Sequence, residues 1–118
     1  MKTVLVVDDE EVLRGYFSAI LSRLGFNVMT ADDGDTAIFV LEQNPGVDLI
    51  VLDLKMKRMG GRQAYAHLKR IKPDVKVLVS SAYVDDEEEL LSMGVDAVLK
   101  KPFPILSFKS MVFELLGS

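Results

Sequence analysis

The chain has 118 residues, 49% hydrophobic and 27% charged, a composition that suits one globular domain with a sizeable core and argues against disorder. Its 14 Lys and Arg against 18 Asp and Glu give a net charge of −4, a poor basis for direct nucleic-acid binding, which draws its affinity from phosphate contacts. With no Cys and a single His, disulfides, zinc–thiolate sites, Cys nucleophiles and any site needing two His ligands from this chain are excluded.

The first apolar run is Val4-Leu5-Val6-Val7, short and ending in acids, unlike a secretory signal. Val12, Leu13, Tyr16, Phe17, Ile20, Leu21 and Leu24 then repeat at helical spacing as one broad apolar stripe, with Gly25 in the place of a left-handed cap. A weaker strand over Asn27 to Thr30 leads to a helix carrying Ala37, Ile38, Val40 and Leu41, which ends before Pro45-Gly46. Leu49-Ile50-Val51-Leu52 is the third strand, and a helix with Ala64, Leu68 and Ile71 follows and stops near Pro73. The fourth strand is read over residues 75–79, and a short helix from about Asp85 to Met93 has Gly94 as its cap. A weaker strand over Ala97 to Leu99 and a helix carrying Ile105, Phe108, Met111, Val112, Leu115 and Leu116 complete the chain.

Continuous apolar runs of this length suit strands covered on both faces. Five strand–helix units in a row imply an α/β, doubly wound parallel sheet of five strands with five helices on its two faces. A single domain over residues 1–118 is expected, since the chain shows no linker, composition shift or repeat beyond this alternation. No apolar run approaches the ~20 residues of a membrane span. A cytoplasmic location with no membrane partner is therefore expected.

In such sheets ligands bind beyond the carboxyl ends of the strands. Asp8, Asp9, Glu10 and Glu11 follow the first strand, Asp53 the third, Ser80 and Ser81 the fourth, and Lys100, Lys101 and Pro102 the fifth. Taken singly, these are helix caps, loop openers or solvated strand ends. Together they are complementary. Clustered carboxylates repel one another, and a hard divalent cation such as Mg2+ relieves that. A carboxylate can also act as a nucleophile. A metal, a Lys and a hydroxyl are the groups needed to hold three phosphoryl oxygens, so the implied chemistry is phosphoryl transfer to an Asp.

The pieces Val-Leu-Val-Val-Asp-Asp-Glu at 4–10, Leu-Asp-Leu-Lys-Met at 52–56, Ser-Ala-Tyr at 81–83 and Lys-Pro-Phe at 101–103 resemble, in order and spacing, the receiver domains of bacterial two-component response regulators. The resemblance implies the flavodoxin-like strand order 2-1-3-4-5. It implies that Asp53 accepts the phosphoryl group and that Asp9 ligates Mg2+ directly, with Asp8 assisting largely through water. It also implies the backbone carbonyl of Lys55 as a further metal ligand, Lys101 as the lysine paired with Asp53, and Ser81 as the hydroxyl that moves toward the phosphate. Strand alternation, which puts Lys101 on the face of Ala97 and Leu99, favours Lys101 over Lys100. The family often has a cis bond before this proline, so Lys101–Pro102 is the place to look.

A phosphorelay switch is thus expected rather than an enzyme. It would take a phosphoryl group from a sensor histidine kinase, a phosphotransfer protein or a small phosphodonor and pass the signal to an unknown downstream effector, as a monomer or a phosphorylation-dependent dimer. A pseudo-receiver that signals without phosphorylation is the alternative. An aspartate-nucleophile phosphohydrolase would need an acid where Lys55 stands, and Asp8 to Glu11 would repel the phosphate of a flavin.

Three positions depart from the family pattern. Lys57 stands where Pro is common, and Gly60 precedes Gly61 where an acid is frequent, so the loop after the third strand is expected to be loose. Val98 stands where the family usually carries Tyr or Phe, and its β-branched side chain lacks the reach for the usual hydroxyl-and-ring coupling. Lys55 and Tyr83 are expected to flank the path of the attacking water. The acidic run from Asp85 to Glu89 is read as a solvated helix start, His67 as a surface residue, and Met56 and Met59 as gap-filling core.

Overall fold

The computed structural model describes residues 1–56, 58–82 and 87–117. The expectations for Lys57, Tyr83, Asp85 and Asp86 lie outside the described residues. Strands and helices alternate as β1 (Thr3–Val7), α1 (Glu11–Arg23), β2 (Asn27–Ala31), α2 (Gly34–Gln43), β3 (Leu49–Asp53), α3 (Gly61–Ile71), β4 (Lys76–Ser81), α4 (Glu87–Ser92), β5 (Ala97–Lys100) and α5 (Ile105–Leu116). The strands form one parallel sheet in the order β2-β1-β3-β4-β5. This is the doubly wound order that the resemblance implied.

Alternation along the strands divides the core in two. Val4, Val6, Leu49, Val51, Leu78 and Leu99 face Phe17, Ile20 and Leu21 of α1 and Phe108 and Val112 of α5. Leu5, Val7, Ile50, Leu52, Val77, Val79 and Val98 share the other cluster with residues of α2, α3 and α4. Both faces of the central strands are therefore dry, which is why β1 and β3 read as unbroken apolar runs.

One helix opens on a side-chain cap, and two are followed by the glycines the sequence marks. Asp33 Oδ1 accepts from Thr36 N–H at 2.8 Å and opens α2. Gly25, at φ +94°, follows α1 in the left-handed conformation expected of it, and Gly94, at φ +102°, does the same after α4.

Some expectations change. The stripe on α1 is narrower than its periodicity suggested. Phe17, Ile20 and Leu21 are buried, but Val12 is 86% exposed and Tyr16 is 45% exposed. On α3, Ile71 lies at the exposed end of the helix and His67 is half-buried rather than at the surface. Strand β4 begins at Lys76 and runs on through Ser81. Met56 and Met59 are partly buried against the α2–α3 side of the core.

Candidate functional site

Parallel strands bring their carboxyl ends to one edge, and strand alternation decides what meets there. Asp8 continues the face of Val4 and Val6, and Asp53 that of Leu49 and Val51. Lys101 continues the face of Leu99. Carboxylate oxygens of Asp8, Asp9 and Asp53 converge within 4.8 Å of one another. Lys101 Nζ lies 3.2 Å from Asp53 Oδ1 and 3.9 Å from Asp8 Oδ2. Lys100 points elsewhere and pairs with Glu87 at 3.6 Å.

The backbone fixes these groups. Asp8 N–H donates to the Ala31 carbonyl at 3.1 Å, and Arg14 Nη1 donates to the Asp8 carbonyl at 2.8 Å, which ties α1 to the end of β1. Glu10 N–H donates to Asp8 Oδ1 at 2.9 Å. Lys101 N–H donates to the Ser81 carbonyl at 2.7 Å, and the peptide bond between Lys101 and Pro102 is cis. Asp53 Oδ1 accepts a long hydrogen bond of 3.4 Å from Lys55 N–H.

Asp53, Ser81, Lys55 and Lys101, together with Glu10, Leu54 and Ala82, line a cavity of about 190 Å³. Ser81 is buried at the end of β4, so the cavity sets a hydroxyl, an ammonium and a carboxylate around one small space. The structure thus brings together all six residues singled out from the sequence: Asp8, Asp9, Asp53, Lys55, Ser81 and Lys101. Lys55 is exposed, and the metal ligand expected from it is its backbone carbonyl.

The electrostatics are those of a site short of positive charge. Burial pushes the Asp8 carboxyl up to about 6, and the negative charge of Asp53 adds to that. Burial also raises Asp53, opposed by the charge and hydrogen bond of Lys101. Asp8 Oδ2 is buried with no hydrogen-bond partner among the described residues. An orphaned buried carboxylate oxygen is costly unless something fills the gap. Carboxylates clustered beside such an atom form a hard, oxygen-only donor set, which fits Mg2+.

Two features escaped the sequence reading. One is Arg14, which serves Asp8 through its carbonyl rather than its charge. The other is in the loop between β3 and α3, expected to be loose. A Cβ on Gly61 would lie 2.6 Å from Leu54 Cα, and Gly61 N–H donates to the Leu54 carbonyl at 2.9 Å. Gly61 therefore permits a closed neck at the base of this loop. Arg58 also pairs with Asp33, and Met59 packs onto Gly34. No local pattern announces that ion pair, whose partners are 25 residues apart.

A family model described as response regulator receiver domain matches residues 4–113. Over 116 residues the chain is 35% identical to the autoinducer 1 sensor kinase/phosphatase LuxN of Vibrio campbellii, an alignment covering 98% of this chain and 14% of LuxN. It is 40% identical over 106 residues to the probable transcriptional regulatory protein TcrX of Mycobacterium tuberculosis, covering 87% of this chain and 44% of TcrX. The chain thus spans less than half the length of either relative. Among solved structures it is similar to the response regulator TrrA of Thermotoga maritima in complex with Mg2+ and BeF, with a TM-score of 0.89 and 30% identity over 98% of this chain and 99% of that one.

Proposed function

The chain belongs to the response regulator receiver family of phosphorelay signalling, and from that premise we propose that it is a Mg2+-dependent phosphoacceptor switch with Asp53 as its acceptor. The convergence of Asp8, Asp9 and Asp53 beside Lys101 supports this reading most directly.

Asp9, Asp8, Asp53 and the carbonyl of Lys55 would hold the metal. When bound, Mg2+ supplies electrostatic stabilisation of the phosphoryl oxygens. The chain's own residues do the rest. An Asp53 carboxylate oxygen bonds to the phosphorus of a phosphohistidine on a sensor kinase or phosphotransfer protein. The P–N bond breaks, and its electron pair stays on the imidazole nitrogen. Lys101, 3.2 Å from Asp53, is placed to follow the negative charge from carboxylate to phosphoryl oxygen. Ser81 offers its hydroxyl to another phosphoryl oxygen. Hydrolysis reverses the state, water breaking the new P–O bond and releasing phosphate. The product is a modified chain that signals to an effector, so the domain acts as a switch with slow self-catalysis rather than as an enzyme.

No described helix is long and apolar enough to cross a membrane. A cytoplasmic location and one receiver domain over residues 1–118, monomeric or dimerising on phosphorylation, complete the proposal.

Incubation with acetyl phosphate, with and without Mg2+, followed by intact-mass measurement and site mapping, tests it. One phosphoryl group on Asp53, abolished by chelator and by Asp53→Asn, is expected. Labelling that survives Asp53→Asn or chelation overturns the assignment. No labelling of the wild-type chain by acetyl phosphate or by a phosphorylated kinase favours the pseudo-receiver.

A further inference from the structure

The β3–α3 loop begins at a narrow neck, where Gly61 lies against Leu54. It carries Lys55, whose carbonyl is the proposed metal ligand on this side of the site. A backbone ligand cannot be aimed by rotating a side chain; only the path of the loop aims it. The position of the loop is therefore part of the metal site.

Two contacts beyond the neck tie this loop to the start of α2. Asp33 is buried and uses both carboxylate oxygens. Oδ1 caps α2 through Thr36 N–H at 2.8 Å, and Oδ2 takes the guanidinium of Arg58. Beside it, Met59 packs so closely on Gly34 that a Cβ there would meet Met59 Sδ at 2.7 Å. Asp9, the proposed direct ligand, lines the same cleft as Asp32, Asp33 and Arg58. The helix cap and the loop thus share one carboxylate at the rim of the metal site.

Arg58 itself is 74% exposed, so it contributes little to the core. Its partner is fixed, however. An ion pair with one buried, already anchored carboxylate loses less side-chain freedom on forming than one between two mobile groups. The loop also lacks the usual proline, since Lys57 stands in its place.

We propose that Arg58 is a positioning residue for the metal site, and that by pairing with Asp33 it holds the β3–α3 loop, and with it the Lys55 carbonyl, in the geometry that takes Mg2+. This rests on the metal-binding reading above. Arg58 touches neither metal nor phosphoryl group; it acts through the loop.

The test is calorimetric titration of the intact chain with MgCl2, paired with amide exchange of residues 55–60 in the metal-free state. Arg58→Ala should weaken Mg2+ binding roughly two- to fivefold, the range open to a partly buried ion pair. It should speed exchange in the loop and leave the metal-free melting temperature nearly unchanged. Arg58→Lys should restore part of the affinity. Asp33→Asn keeps a competent helix cap but removes the charge, and should match Arg58→Ala in Mg2+ affinity though not in stability, with no further loss of affinity in the double variant. Unaltered affinity and loop exchange in Arg58→Ala overturn the proposal while leaving the metal site intact. A wild-type chain whose Mg2+ binding is absent, or indifferent to Asp9→Ala, overturns both readings together. A matching fall in melting temperature, with affinity restored by neither Lys nor cooling, would make Arg58 merely structural and also overturn it.

Discussion

At Asp8 a carboxylate is kept almost entirely from water with one oxygen unpaired among the described residues, and Lys101 Nζ lies 3.9 Å from it. Burial that lifts its pKa from 3.8 to about 6 means the charged form is disfavoured in the metal-free fold. Each unit corresponds to about 1.36 kcal/mol, to be discounted for the partial screening at the cavity mouth. Asp8→Asn preserves the acceptor for Glu10 N–H and removes the charge. It should stabilise the metal-free protein at pH 7 by about 1–2 kcal/mol and weaken Mg2+ binding. Urea unfolding in chelator checks this, and a variant no more stable than wild type would contradict it. These acids and Lys101 were legible in the sequence because each ends an apolar strand run, where alternation sets its face. Arg58 was not legible, since its meaning depends on Asp33 being brought alongside by the parallel pairing of β1 with β2 and β3.

Helix α2 shows how one cap residue makes an element sensitive to acid. The Thr36 N–H bond, then the Arg58 hydrogen bond, hold the Asp33 carboxyl down at about 2 against an ordinary 3.8. A depressed carboxyl contributes stability that is fully present above its unfolded value and is lost as pH falls through its folded value. The contribution should therefore be intact above about pH 4 and fade toward pH 2. Asp33→Asn should be less stable than wild type at neutral pH, and the difference should close across that window. Thermal melts from pH 7 to pH 2 measure it, and a gap that persists at pH 2 would place the effect outside this carboxyl. Among the helices, periodicity identified each element but overstated the buried face of α1. Apolar spacing marks which residues share a side, not how much of that side the rest of the fold covers. Val12 and Tyr16 share the stripe and remain exposed.

For the molecule as a whole, the sheet is a partition with the site at its edge. Asp8, Asp53 and Lys101 continue the face covered by α1 and α5, whereas Ser81 continues the face of Val77 and Val79, which belongs to the α2–α4 side. A parallel sheet was legible from strand–helix alternation, but its strand order came from the family resemblance, because alternation alone does not say which strands are neighbours. That order decides where a signal can travel. Val98 lies buried in the same cluster as Leu90, and a valine there has no ring to swing between two places. Ser81 remains as a hydroxyl beside the acceptor, and the chain beyond it leads into α4. This helix is short and lightly held. Its buried anchor is Leu90, and its acids reach outward to Arg62 at 2.7 Å and Lys100 at 3.6 Å. Exposed pairs of that kind are worth about 0–1 kcal/mol each. A pull on Ser81 from a phosphoryl oxygen on Asp53 is of comparable size or larger, as hydrogen bonds to charged groups are worth about 1.5–3 kcal/mol. The end of β4 and α4 should therefore shift together, while α1, β2 and α2 stay as they are. Amide exchange with Mg2+ and beryllofluoride, compared with Mg2+ alone, should change across residues 81–93. Changes confined to the immediate neighbours of Asp53, Ser81 and Lys101 would instead mean that a partner reads the modified pocket directly, with α4 acting as a fixed wall.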